Sequence, residues 1–479
     1  MISPADIRAS ADKIRIETMH SGSQSYRVRG WFCLCAIIAL TACSIGTHSS
    51  ISTYQPQGQF SAPGKDVLPD RWWLTFADPS LDRLIDSALS DNLSLQTAWD
   101  RLDQARAVAR RAGAGLWPEI NGEASGSTTR FQTNSQTESR NDFSLGLSAS
   151  YEVDLWGRIN STQEAAELDA MASAELLQTA ALTLTAGVAS TWFRLTEQRE
   201  QIQLLHQQLA TNQQTLELVT LQFRTGQVSI ADLLQQRLVV ENRRGELALA
   251  KAQEQVLLNQ LAVLLGLPPD QAPQLAPASL GSLPPLPATG VYSNLVERRP
   301  DVRAAWLQVR AADQRVAAAV ADRFPRLSLS GRATTSSEEI EDLFDDWLSS
   351  IAANLLAPLV DGGRRRAEVD RTRAAASAAL HSYGQTILEA LAEVEDALVR
   401  EQQQLKYLSS LDRQLELAAQ ATERIRDRYL NGAVDYQRVL ASILSEQQLQ
   451  RTRLAASGEL YENRINLCRA LAGGWEMSR

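Results

Sequence analysis

The chain has 479 residues, 47 lysines and arginines against 56 aspartates and glutamates, a formal charge of −9, and 44% hydrophobic residues. That hydrophobic share can bury a core, which excludes wholesale disorder, and the acidic balance excludes a nucleic-acid binder, whose footprint is a basic face. Apart from a short stretch near the N-terminus, no run approaches the roughly 18 apolar residues of a spanning helix, so a helical transporter is excluded; barrel strands leave a weaker trace and are not.

Arg27 and Arg29 precede the apolar run Trp31–Leu40, then Thr41, Ala42 and Cys43. A basic start, an apolar run of about a dozen residues and small residues at its end read as a secretory signal over 1–42, too short to span. Residues 1–18 add charges such a signal does not need, which points to Met19 as the translation start. Leu40-Thr-Ala-Cys43 has the form of a bacterial lipobox, which makes Cys43 the acylated first residue; the alternative is an ordinary cut nearby. Cys33 and Cys35 leave with the leader, so a lipidated Cys43 leaves Cys468 without a disulfide partner. Residues 43–65 form the tether.

The remainder repeats itself. Leu116-Trp-Pro118 matches Arg323-Phe-Pro325, Trp156-Gly157-Arg158 matches Gly362-Gly363-Arg364, and Phe223-Arg-Thr-Gly226 matches Tyr429-Leu-Asn-Gly432, at offsets of 206 or 207. A nearly constant offset across these landmarks means a tandem duplication. The first repeat covers 66–267 and the second 291–475; residues 268–290, rich in proline, link them.

Each repeat reads as helix, strand pair, very long helix, turn and shorter helix. Helices over 94–116 and 301–323 stop before Pro118 and Pro325, since the residue ahead of a proline is pushed out of the α region. Strands follow at about 120–129 and 143–155, and again at 327–335 and 347–360. From Phe143 to Leu155, apolar residues alternate with Ser144, Gly146, Ser148, Ser150, Glu152 and Asp154, a length that crosses a bilayer as a tilted strand. The chain then runs 67 residues without proline, over 159–225 and 365–431, which predicts helices of about 100 Å. Their lower parts carry heptads: Ile202, Leu205, Leu209, Asn212, Leu216, Val219 and Phe223, repeated as Leu408 to Tyr429. Gly226 and Gly432 reverse the chain into return helices over 228–265 and 434–471. The interval after Gly266, with Trp72, Trp73 and Phe76, makes a collar midway along the rod.

An open sheet edge is forbidden in lipid, so four strands per chain demand oligomerisation. The loop 338–346 holds six carboxylates and belongs outside the cell. Trp117, Trp156, Phe324 and Trp347 lie near strand ends, as an aromatic girdle or as ordinary packing.

In the stretches Arg71–Pro79, Tyr151–Arg158, Pro358–Arg364, Arg428–Tyr436 and Leu471–Trp475, in that order and spacing, the chain resembles the outer-membrane efflux channels of the TolC and OprM type, particularly the lipoprotein branch serving resistance-nodulation-division pumps. The resemblance implies a mainly helical, tandem-repeat protomer that trimerises into a 12-stranded β-barrel and a periplasmic α-helical barrel, lipid-anchored at Cys43 and spanning the outer membrane. It implies a passive exit duct for drugs or other small molecules, with no cofactor beyond that lipid, partnered by a periplasmic adaptor and an inner-membrane pump. Ser44 after the lipidated residue is consistent with outer-membrane sorting. In such channels the periplasmic tip opens like an iris, so Gly226 and Gly432 fall on the turns an adaptor engages. Asp232 and Tyr429 match a latching pair, while Arg438 and Ala441 stand where acidic residues often ring the aperture, leaving Asp435 to supply that charge. The alternative for Asp232 and Asp435 is solvated helix-start carboxylates held by the dipole.

No nucleotide-binding glycine loop and no paired His-and-acid motif speaks for an enzyme; His48 sits in the tether, and His206 and His381 stand alone on helices. Type I secretion and metal efflux use the same architecture and stay open. A periplasmic coiled-coil adaptor lipoprotein is the rival outside the channel class, and the amphipathic strands distinguish the two.

Overall fold

The computed structural model describes residues 57–475 and 477, apart from 63, 65, 66, 134, 135 and 277. The leader, Cys43 and the tether as far as residue 56 lie outside the described residues.

After a short 3-10 turn, Trp72–Phe76, come α1 (Pro79–Asp91), α2 (Leu93–Ala114), β1 (Glu119–Thr133), β2 (Gln136–Val153), α3 (Arg158–Arg224) and α4 (Ile230–Leu264). The second half supplies α5 (Tyr292–Arg298), α6 (Pro300–Ala321), β3 (Arg326–Ser337), β4 (Leu348–Leu356), α7 (Arg364–Leu430) and α8 (Tyr436–Leu471). Both long helices have 67 residues.

The strands form one antiparallel sheet in the order β1-β2-β3-β4, with β1 and β4 at its edges. Three strand ends differ from expectation. β1 runs on to Thr133 and β2 begins at Gln136, because a hairpin reaching beyond the membrane needs ladder hydrogen bonds but no apolar face, and only the face leaves a periodic signal. β4 stops at Leu356, two residues before Pro358, which has no N–H to give a ladder. The acidic loop folds a short 3-10 turn over Ile340–Asp342.

α3 is the most enclosed helix, packed by α2, α4, α6 and α8, whereas α7 has α6 and α8 along it and the short α5 beside it. The short helices are spliced end to end. The Asn92 side chain caps α2 by accepting from the Leu95 amide (3.0 Å) and donates to the Leu264 carbonyl at the end of α4 (2.9 Å). One repeat later Arg299, at the start of α6, donates to the Ala470 carbonyl at the end of α8 (3.1 Å) and pairs with Asp301 and Glu393. Each splice satisfies carbonyls that a helix end would otherwise leave orphaned.

The waist is aromatic: Trp72 and Trp73 are fully buried, and Phe76, Phe193 and Tyr461 pack on one another with centroids 4.6–6.2 Å apart. Around it the inter-repeat linker is strapped down. Arg464 pairs with Glu401, both about 5% exposed or less, and also donates to the carbonyls of Pro284 and Pro285. Tyr461 donates to the Gly281 carbonyl.

Candidate functional site

Two places carry the functional geometry, the sheet face and the helical tip. The register sorts the strands into two chemistries. Ile120, Ala149, Gly331 and Ile351 form one cross-strand row, and Val153, Leu327 and Leu355 another on the same face. Asn121, Ser148, Arg332 and Ser350 form a row on the opposite face. There Arg332 and Ser148 both donate to the Glu123 carboxylate, and the Ser125 and Ser144 hydroxyls lie 2.8 Å apart. The apolar row is open to the surroundings, with Ile351 93% and Ile120 70% exposed. This is the sorting a lipid-facing wall with a polar interior requires. Trp117 and Trp347 are exposed at strand ends, as girdle residues are. Trp156 and Phe324 instead stack on each other at 4.9 Å, with the indole N–H on the Pro325 carbonyl.

At the other end, Gly226 (φ +73°) and Gly432 (φ +68°) occupy the left-handed region. Beyond each, the 6→1 bond that closes a Schellman turn is made, Gln227 to Gln222 and Ala433 to Arg428 at 2.8 Å. An L side chain at these positions is strained, which is why both tips turn on glycine. The return helices then start differently. Ser229 and Asp232 form a capping box on α4. One repeat on, the carboxylate has moved to the N-cap, where Asp435 accepts from the Arg438 amide (3.0 Å). Arg438 itself is exposed.

Asp232 and Asp435 thus both spend their carboxylates on helix starts. The Tyr429 hydroxyl donates to Gln222 Oε1 (3.2 Å) and not to Asp232. Within one chain, the Asp232–Tyr429 bond expected from the resemblance is not made, because the cap draws the carboxylate back onto Ser229.

What joins the two hairpins is a buried amide ladder that sequence reasoning did not single out. Tyr436 donates to Gln236 Oε1 (2.7 Å), Gln236 to the Asn212 carbonyl (2.8 Å), Asn212 to Gln447 Oε1 (3.1 Å), and Gln208 to the Gln447 carbonyl (3.1 Å). Three helices contribute, α3, α4 and α8, and the same three bring Val219, Leu233, Val239, Tyr436 and Leu440 into one shared core. Burial pushes the Tyr436 phenol well above its ordinary value, with Tyr429 and Asp232 adding to the shift. The only signal in the sequence was Asn212, an amide on a heptad position.

The outer membrane efflux protein family matches residues 84–267 and 291–473. Among relatives, the chain is 33% identical over 442 residues to the pyoverdine export outer membrane protein OpmQ of Pseudomonas aeruginosa, covering 88% of this chain and 92% of that protein. It is 30% identical to the cation efflux system protein CusC of Escherichia coli K12, covering 92% and 98%. The solved structure of the outer-membrane channel OprN superimposes with a TM-score of 0.80 at 26% identity, over 89% of this chain and 99% of that one.

Proposed function

The chain belongs to the outer membrane efflux protein family, and from that premise we propose that three copies form the exit duct of a tripartite efflux assembly. The observation that carries the reading is the sheet. Its four strands separate an apolar face from a hydroxyl- and amide-rich one, yet leave both edges open, and unpaired edges cannot remain in lipid. Three copies give twelve strands and close the wall with the polar face inside. The long helices continue that wall into the periplasm.

The duct is passive. Cys43 carries the lipid that tethers each protomer, and the turns at Gly226 and Gly432 receive a periplasmic adaptor, which couples the tip to an inner-membrane pump. Tyr429, Asp232, Asp435 and Arg438 sit at the aperture and set how firmly it closes. Relatives are named for pyoverdine export and for cation efflux. A luminal strand face of serine, threonine and asparagine suits polar cargo of varied chemistry, with the pump making the selection.

The test is the mass of the mature protein, solubilised from carbonate-washed membranes. Three protomer masses in the carbonate-resistant outer-membrane fraction are expected. A monomer released by carbonate would overturn the duct in favour of a lipid-tethered coiled-coil adaptor.

A further inference from the structure

Within one chain, the second hairpin rests on the first along a defined stripe. Gln447, Arg451, Gly458 and Glu462 of α8 meet Asn212, Gln208, Glu197 and Arg194 of α3. The repeat carries each partner to an equivalent 206 residues away. The α8 stripe becomes Glu241, Gly245, Ala252 and Val256 on α4; the α3 stripe becomes Ala418, Gln414, Gln403 and Arg400 on α7. Gln447 and Gly458 are buried, but all four α4 counterparts are exposed, and so are Gln414, Gln403 and Arg400. The chain therefore presents both halves of a seam it has already used once, on α4 and on α7, and neither is filled.

Two further observations favour a mate for them. Gly245 lies inside a helix, where glycine destabilises relative to alanine, and a Cβ there would meet nothing in its own chain. With Ala248 and Ala252 it forms an exposed notch beside Leu249, which is 74% exposed. On α7, Tyr407 is 45% exposed. It stands where the first repeat has Gln201, whose amide donates to the Arg451 carbonyl, and the counterpart of Arg451 is Gly245.

Resting on the trimeric reading above, we infer that α4 of one copy is covered by α7 of the next in the register of the internal α8–α3 seam, with Tyr407 seated in the Gly245–Ala248–Ala252 notch. A large knob meeting a small-residue hole is how coiled helices fix register. The internal and external seams then alternate around a ring of six hairpins, one mostly polar, the other built on a tyrosine and small residues.

The full mature protein in its membrane tests this with paired cysteines. Ala252→Cys with Gln403→Cys should give disulfide-linked dimers and trimers on mild oxidation. Ala252→Cys with Gln414→Cys, displaced by three turns, should stay uncrosslinked. Tyr407→Ala and Ala248→Trp should each lower the temperature at which the trimer dissociates, while the neighbouring Lys406→Ala should leave it unchanged. A trimer that crosslinks only through the displaced pair, through neither pair, or within one chain would overturn the register and leave the duct standing. A protein of monomer mass before any oxidation would overturn both.

Discussion

Arg464 and Glu401 are the most deeply buried ion pair among the described residues. An isolated buried charge is far costlier than a matched pair is beneficial. Glu401→Ala leaves the guanidinium with the Pro284 and Pro285 carbonyls alone and should lower stability by about 3–5 kcal/mol in denaturant unfolding of the solubilised protein. Replacing both partners, with Glu401→Leu and Arg464→Met, should restore much of that loss; if the double variant is no better than the single, the penalty lies elsewhere. The Arg299 splice has a pH signature. Burial alone would raise the Asp301 carboxyl, but hydrogen bonds and charge from Arg299 outweigh it and hold the group below its ordinary value. A depressed carboxylate stabilises the fold fully above the unfolded value of about 3.9 and loses that contribution as pH falls through its lower folded value. Asp301→Asn should flatten the acid limb of stability below about pH 4 while leaving the slope near neutrality unchanged.

At the scale of elements, the splices decide whether two short helices behave as one stave beside a long one. Asn92→Ala removes an N-cap and orphans the Leu264 carbonyl, which should cost about 1–3 kcal/mol. Faster amide exchange in the first turn of α2 and the last of α4 is expected; a change confined to α2 would mean that Asn92 caps without splicing. The long helices, the strand pairs and the turns between them were legible because proline, glycine and apolar period act locally. The alternating stretch from Phe143 to Leu155 announced a membrane strand, whereas the polar residues from 136 to 142 gave no sign of extending it, since their ladder bonds leave no pattern in side-chain chemistry. The tip shows the same limit. Its glycines were readable, but no pattern in the sequence marks Gln208, Gln236 and Gln447, which are buried. An amide looks polar to any periodicity, and only the partner across the seam shows that it is satisfied.

At the scale of the whole molecule, the sheet makes a prediction that separates its two faces residue by residue. Leu147 and Ser148 are neighbours on β2, and their cross-strand partners differ accordingly: Gly122 and Ala333 beside the leucine, Asn121 and Arg332 beside the serine. Counting upward from Val153 at about 3.3 Å per residue and a tilt near 45°, both lie close to the bilayer midplane. Leu147→Arg places a charge against lipid and should destabilise the barrel by about 2–4 kcal/mol, read as loss of the heat-stable trimer band and weaker resistance to urea. Ser148→Arg turns the same charge into a water-filled lumen, beside the Glu123 carboxylate that already accepts from Arg332, and should leave trimer stability almost unchanged. Equal losses from both substitutions would mean that neither face is wet and that the sheet does not line a duct. The reverse order of loss would mean that the polar face is the one turned to lipid, which no closed barrel of these strands could tolerate, because the serine, asparagine and arginine row would then be stripped of its water.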